Sequence, residues 1–475
     1  FGGFPWGRLA FSQADGPLLA LASVGGAPLV SAAVAAIGFL LACVVVEGAR
    51  VLRRQPDTRP DRPGHGTRAA TGAVAAAALV GGSALIPLPA GAEAGTINIG
   101  AVQGNVSAPG LGAFANALEV LDNHVSGTEH LVETTEIDLD LIVWPENSSD
   151  YNPRVDWSDR HAEARAGVDR ALEAAGVPLL MGTDRYTEDA RYNEMVLWEP
   201  GSGDTFSYAK QIPAAFAEYI PMREIARLFS PAVDLVRTDM APGTELAIVP
   251  APIERLGRDV VVGTPICFEV AYDALNREAV LAGAQVLVVP TNNASFGFTA
   301  ESTQQLAMSR LRAVEHGRAT IQISTVGVSG VISPDGQVSQ RTELFTPAQL
   351  AAELPLRTSL TVADRLGDWP IILTTIAVIG LLALGIITGR SGGRAWTSGA
   401  DPRPAAGPGA AVGPDSSPEP APSPSTAEPA RAERSAKHRP QHGALAGEQS
   451  GRRHPGDREP AADQEQPVLL TEGPQ

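Results

Sequence analysis

Three long apolar runs without a charged residue limit what this chain can fold into. Residues 28–46 and 70–88 each hold 19 residues with no Asp, Glu, Lys or Arg, and residues 370–389 hold 20. A helix rises ~1.5 Å per residue, so about 20 such residues cross a hydrocarbon layer of ~30 Å. The second run is the weakest, being mostly Ala and Gly. The chain is therefore expected to divide into a membrane region over 1–89 with helices at 28–46 and 70–88, a large soluble block over 90–365, a third membrane helix within 366–390, and a tail over 391–475. Arg50, Arg53, Arg54, Arg59, Arg62 and Arg68 lie between the first two runs against three acids, and Arg390 and Arg394 follow the last. Arginine excess marks the cytoplasmic side. The block then faces the extracytoplasmic side and the tail the cytoplasm, giving a multi-pass protein of the cell membrane. The first residue is Phe1, and an incomplete amino end is expected.

The tail is different material. It has 14 prolines in 85 residues mixed with Ser, Ala, Gly, Glu and Arg. Such a composition buries too little apolar area to offset ordering entropy, so a disordered tail is expected. A net charge of −17 argues against a nucleic-acid partner, which calls for a basic face. Two cysteines, one inside an apolar run, exclude a disulfide scaffold. Neither metal-ligand spacing nor a glycine-rich nucleotide fingerprint is present, so no metal and no cofactor is expected.

Within the block, apolar strand-like runs alternate with amphipathic segments. TINIGAVQ (96–103), DLDLIVW (138–144), VPLLMGTD (177–184), DVVVGTPIC (259–267), AQVLVVP (284–290) and RATIQIS (318–324) read as strands, and 112–135, 159–175, 271–282 and 302–317 as helices. YNEMVLWEP and DTFSYAK read as a hairpin around Gly201–Gly203. Strands that are apolar throughout need cover on both faces, which predicts a layered α/β sandwich with helices outside.

Three reactive side chains share one context. Glu146 follows IVWP, Lys210 follows FSYA and Cys267 follows GTPI, each just past a strand end. Carboxyl ends of strands are where functional groups gather in α/β folds. A carboxylate can take a thiol proton, the thiolate can attack a carbonyl, and an ammonium can hold the oxyanion that forms. Taken singly each signal is weak: a lone Cys in an apolar segment is ordinarily core, and a lone Glu or Lys ordinarily solvated. No histidine substitutes for any of them.

As a set these motifs resemble a carbon–nitrogen hydrolase (nitrilase superfamily) domain, whose Glu–Lys–Cys triad runs in this chain order. With flanking membrane spans the chain resembles the apolipoprotein N-acyltransferase family. GFPWGRLAFSQ (3–13), WPEN (144–147), YNEMVLW (192–198), YAKQIPAAFAEYIP (208–221), CFE (267–269), TNNASFG (291–297) and RLRAVEHGR (310–318) carry the likeness. It implies an αββα sandwich inserted between transmembrane helices, with Glu146 as general base, Lys210 as catalytic lysine and Cys267 as nucleophile. It implies supporting roles for Glu218, Phe268 and Glu269. It implies a monomeric, membrane-embedded enzyme that takes an acyl group from a phospholipid and gives it to the amino-terminal amine of a diacylglyceryl apolipoprotein, through a Cys thioester. Residues 214–230 would supply an apolar lid.

Three departures stand against the family pattern. Ala215–Phe216–Ala217–Glu218 replaces Pro-Phe-Gly-Glu, Cys267–Phe268–Glu269 replaces Cys-Tyr-Glu, and Asn292–Asn293–Ala294–Ser295–Phe296 replaces a form with Asp and Trp. A looser loop at Glu218 and extra volume near Ser295 are expected. The alternatives are a membrane-tethered amidase using the same triad, and an inactive paralogue serving as an envelope scaffold.

Overall fold

A computed structural model describes residues 3–54, 63–106, 118–188 and 190–393. Residues Phe1–Gly389 form one unit and Arg390–Gln475 another. Nearly all of the expected disordered tail, from residue 394 on, lies outside the described residues.

In chain order the elements are α1 (Ala22–Leu52), α2 (His65–Ser83), β1 (Thr96–Gln103), α3 (Glu119–Thr134), β2 (Leu141–Val143), α4 (Asp159–Ala175), β3 (Leu179–Tyr186), β4 (Arg191–Glu199), β5 (Gly203–Ala209), α5 (Arg223–Arg227), β6 (Ile248–Ile253) and β7 (Arg258–Gly263). They continue with α6 (Asp273–Leu281), β8 (Val286–Thr291), α7 (Glu301–His316), β9 (Thr320–Ser324), β10 (Gly330–Ile332), β11 (Val338–Arg341), β12 (Ala348–Pro355), α8 (Val362–Leu366) and α9 (Trp369–Gly393).

The strands form two six-stranded sheets, in orders β12-β1-β2-β3-β4-β5 and β11-β10-β9-β8-β7-β6. Each sheet has a parallel trio, β1-β2-β3 or β7-β8-β9, flanked by antiparallel strands. Side chains alternate faces along a strand, and the burial follows that period. Leu141, Val143, Leu180, Met195 and Leu197 of the first sheet pack with Val260, Val262, Val286, Val288, Ile321 and Ile323 of the second to form the core between the sheets. Their neighbours Ile142, Leu179, Met181, Val196 and Trp198 point the other way, onto Leu121 and Val125 of α3 and Ala164 and Val168 of α4. On the second sheet's outer face, Val289 packs with Met308, Leu311 and Val314 of α7. The αββα sandwich is thus present, and its strands are apolar throughout because both faces are buried.

Ahead of α1, residues 3–21 run as short 3-10 turns that form a strap over α7. Ala10, Phe11, Leu18 and Leu19 of the strap bury against Met308, Leu311 and Val314. The chain then bends into α1 at Gly25 and Gly26, the latter at φ +65.

Two helical stretches among the described residues are long and apolar enough to cross a bilayer, Pro17–Leu52 and Trp369–Ile387. Phe39 and Val45 on α1 and Ile376, Ile379 and Leu381 on α9 are exposed.

The helix of the 70–88 run is shifted toward the amino end. The helix there starts at His65 and stops at Ser83, and it does not join the two candidate spans. Arg68 and four glycines lower its apolarity. One of them serves packing: a Cβ on Gly72 would sit 3.1 Å from Val44 and 3.3 Å from the Leu40 carbonyl oxygen, so α2 lies tightly along α1 there. Elsewhere β10 is confined to 330–332 and turns into β11. Of the helix expected over 112–135, residues 119–134 are helical, and 112–117 lie outside the described residues.

Candidate active site

Glu146 sits three residues past the end of β2, Lys210 directly follows β5, and Cys267 opens the short 3-10 turn Cys267–Ala271 beyond β7. The two sheets stack with these ends together, and the three residues, far apart in the chain, meet.

Lys210 is 1% exposed, a depth at which an unpaired ammonium would be untenable. Its Nζ donates to Glu146 Oε1 at 2.8 Å and to Glu218 Oε1 at 2.8 Å. Burial alone would lower its pKa, but Glu146 and then Glu218 raise it well above the usual lysine value, so the ammonium is fixed. Glu146 has both oxygens occupied. Oε1 also accepts from Asn193 Nδ2 at 2.6 Å, and Oε2 accepts from the Asn292 backbone N–H at 2.7 Å.

Cys267 is a buried free thiol at φ +52, in the left-handed region that L residues avoid. Such strain persists only where the surroundings impose it. Glu269 supplies much of that constraint. Its carboxylate accepts from the Ile266 N–H at 2.8 Å, from the Gln211 N–H at 2.6 Å, from the Ile212 N–H at 3.0 Å and from Tyr208 Oη at 2.9 and 3.0 Å. One side chain thus ties the turn of Cys267 to the loop of Lys210. Burial, followed by the negative charge of Glu146, pushes the Cys267 thiol far above the ordinary cysteine value, and Lys210 pulls it back only in part. Gln305 Nε2 approaches Sγ at 3.5 Å.

Gly182 explains how the Glu146 loop seats. A Cβ there would lie 2.5 Å from the Pro145 carbonyl oxygen and 2.7 Å from Glu146 Cα, both backbone. Only a glycine lets β3 approach the loop so closely.

Of the residues anticipated from sequence, Glu146, Lys210, Glu218 and Cys267 converge in one cluster. Glu269 lies behind the nucleophile as a brace. Phe268 faces an aromatic group, with Phe4 at 5.4 Å, Trp6 at 6.2 Å and Tyr272 at 5.3 Å between ring centroids. The loop expected to be looser at Glu218 is a hydrogen-bonded turn, with the Glu218 N–H donating to the Ala214 carbonyl at 2.8 Å. Glu218 Oε2 accepts from the Ala214 N–H at 2.6 Å, and the left-handed residue of the turn is Phe216, not Ala217, so the glycine-to-alanine change adds no strain there. The proposed lid, 214–230, carries the short helix α5 and exposes Phe216, Met222, Leu228 and Phe229.

Sequence reasoning missed Asn193, Gln305 and Asn293. Asn193 and Glu194 are a buried polar pair inside the apolar strand β4, an anomaly that flags a polar duty. Asn293 donates to Gln305 Oε1 at 2.8 Å and accepts from Thr291, Ser302 and Ser324, so the altered 292–296 stretch orients the amide beside the thiol. Among the described residues no histidine joins the cluster: His316 pairs with Asp364, and His124 is held by Val120 and Gly104.

The carbon-nitrogen hydrolase family model matches residues 98–362, and the model of the apolipoprotein N-acyltransferase N-terminal domain matches residues 1–40. The chain is 39% identical over 392 residues to the apolipoprotein N-acyltransferase of Mycolicibacterium smegmatis, covering 79% of this chain and 63% of that protein. It is 31% identical over 385 residues to the Azotobacter vinelandii enzyme of the same name, covering 80% of this chain and 68% of that one. The chain thus spans about two thirds of the length of these relatives. With a hydrolase model matched over more than half of its residues and both relatives carrying one name, the chain belongs to the apolipoprotein N-acyltransferase family, built on a carbon–nitrogen hydrolase domain.

Proposed function

We propose that this chain is an N-acyltransferase that moves a fatty acyl group from a membrane phospholipid to the amino-terminal amine of a diacylglyceryl apolipoprotein, through a thioester on Cys267. The observation that carries the reading is the buried Lys210 bridging Glu146 and Glu218 beside a buried, strained thiol.

Charge bookkeeping dictates the first step. With Glu146 and Glu218 ionised, Lys210 charged and the thiol neutral, the cluster carries one net negative charge. Releasing the thiol proton to solvent would add a second, which burial and Glu146 oppose. Passing the proton to Glu146 leaves the total unchanged. The sulfur forms a bond to the ester carbonyl carbon, and Lys210 stabilises the oxyanion. The ester C–O bond breaks, and the proton on Glu146 goes to the departing lysophospholipid oxygen. The acceptor amine then attacks the thioester, its proton passes through Glu146, the C–S bond breaks, and Cys267 is restored as a thiol. Glu218 keeps Lys210 in place throughout.

The setting fits lipid substrates. The α1–α2 hairpin and α9 hold the block against a bilayer, with multiple crossings of the cell membrane, the block on the extracytoplasmic side and the tail in the cytoplasm. Presenting acyl chains at the interface avoids drawing them into water, at about 0.8 kcal/mol per CH₂. Phe4, Phe216, Met222, Leu228 and Phe229 provide an apolar rim that shields the thioester from water.

Intact mass of the full chain in detergent after incubation with phospholipid tests the reading. A gain of one acyl chain is expected, absent in Cys267→Ala and discharged by a diacylglyceryl peptide. Ammonia release from small amides with no lipopeptide product would overturn it in favour of an amidase.

A further inference from the structure

The nucleophile turn has a second support besides Glu269, from a residue outside the triad. Arg312 on α7 is fully buried. Its Nε donates to the Val270 carbonyl at 2.7 Å and its Nη2 to the Ala271 carbonyl at 2.9 Å. These are the last two carbonyls of the turn that Cys267 opens, and the end of a helical turn leaves such acceptors without intrahelical donors. Carbonyls around the turn have local donors. The Glu269 N–H bonds Ile266 O at 3.0 Å, and Asn276 Nδ2 donates to Glu269 O at 3.0 Å and Tyr272 O at 2.7 Å.

The guanidinium is in turn part of a chain of charges. Nη2 bonds Asp273 Oδ1 at 2.8 Å and Nη1 pairs with Glu315 one turn along α7. Asp273 also accepts from Arg8 of the strap, at 2.6 Å on each oxygen. Glu315 lies against the bend of α1, where a Cβ on Gly26 would fall 2.3 Å from its Oε1. Strap, bend and nucleophile turn therefore share one fork-shaped cation, and the strap and bend belong to the stretch matched by the N-terminal-domain model.

We propose that Arg312 is a positioning residue for Cys267, and that Arg8, through Asp273, makes the nucleophile's geometry depend on the docked N-terminal strap. The planar fork matters: two divergent carbonyls and two carboxylates are met by one rigid group, which a lysine ammonium matches only in part. This rests on the acyl-transfer reading for its turnover arm alone.

The experiment uses the full chain in phospholipid nanodiscs, with Arg312→Met, Arg312→Lys and Arg8→Gln. Turnover of a diacylglyceryl peptide is read as kcat and KM, thermal midpoint is recorded, and Cys267 alkylation by iodoacetamide is followed by intact mass at fixed pH. Displacement of a nucleophile by about 1 Å lowers rate about 100-fold. Arg312→Met is therefore expected to lose about 100-fold in kcat with KM within about threefold, and to change the alkylation rate at least about tenfold. Arg312→Lys recovers part of the loss, and Arg8→Gln, whose side chain is partly exposed, loses about three- to tenfold at an unchanged thermal midpoint. If Arg312→Met alkylates and turns over like the parent, or if its loss lies in KM, the proposal is overturned. If Arg312→Met does not fold, Arg8→Gln decides: parental kcat and alkylation overturn it. Alkylation needs no lipid, so absence of acyl transfer in the parent would sink the functional reading while leaving the Arg312 test intact.

Discussion

Glu146 and Glu269 are the same residue type, at 3% and 0% exposure, and both act on the surroundings of one cysteine. Their partners differ in kind. Glu146 has a formal cation, Lys210, plus the Asn193 amide and one backbone N–H. Among the described residues Glu269 has no direct cation; the Tyr208 hydroxyl and three backbone N–H groups hold it. Burial pushes Glu269 up to about 7, against the pull of Lys210 and of those donors. The first carboxylate sits in a charge cluster where a proton can move without changing the total. The second joins two loops and has every oxygen committed to geometry. Depth alone therefore does not mark a catalytic acid or base; the class of partner does.

The comparison breaks first at Glu146. Glu146→Gln keeps size and removes the carboxylate proposed as the base, so acyl transfer is expected to fall about 10³- to 10⁴-fold. The same change should make the free thiol easier to ionise, because Glu146 is among the groups that raise Cys267. The pH profile of Cys267 alkylation should therefore move to lower pH while acyl transfer collapses. A profile moving to higher pH would show that Glu146 does not burden the resting thiol. Lys210→Met comes next. It leaves two carboxylates facing each other without their cation, and breaking a buried pair in this way destabilises by about 3–5 kcal/mol. Turnover should vanish and the denaturation midpoint should drop. A variant as stable as the parent would mean that water reaches these carboxylates.

How much of this was legible in the chain follows from what each element depends on. Strands such as VLVVP announce themselves because both their faces are buried, and Glu146, Lys210 and Cys267 could be placed because each follows an apolar run that ends abruptly. Residues 348–355, AQLAAELP, carry no strand signal, since Ala, Leu, Glu and Gln favour helix. They become β12 because β1 offers an open edge, paired in register from Thr96 with Pro355 to Gln103 with Ala348. The end of α2 was hidden for a related reason: Ile86 and Leu88 continue the apolar run, but the helix stops at Ser83 before Pro87. In the site, Asn193 and Gln305 are common polar residues whose duty exists only once Glu146 and Cys267 arrive beside them. Phe216 in the left-handed region has no sequence mark at all.

Smaller changes sharpen the contrast from the Glu269 side. Glu269→Gln replaces an acceptor-only group by one whose NH₂ must face a backbone N–H. One buried donor then loses its acceptor, a penalty of about 1–3 kcal/mol. Because the Cys267 turn and the Lys210 loop lose their common tie, turnover should fall about 10- to 100-fold. The loss should appear in kcat, and the pH profile of alkylation should shift less than in Glu146→Gln. A loss as deep as that of Glu146→Gln would make Glu269 a second chemical participant.

Tyr208→Phe is the mildest probe and the most discriminating. It deletes only the hydroxyl, which spans both Glu269 oxygens at 2.9 and 3.0 Å, and leaves the ring packed in the core between the sheets. Glu269 retains its three N–H donors, so the junction between the two loops persists. A single lost hydrogen bond to a charged group destabilises by about 1.5–3 kcal/mol, and less where other donors remain. A drop near the low end of that range, with turnover reduced less than about tenfold, is expected from denaturation and steady-state measurements. The reason lies in redundancy: a carboxylate that holds geometry through several neutral donors loses one gradually, whereas a carboxylate that exchanges a proton with a thiol has no substitute. If Tyr208→Phe matched Lys210→Met in either readout, Glu269 would depend on one donor, and the division between a chemical and a positional carboxylate would fail.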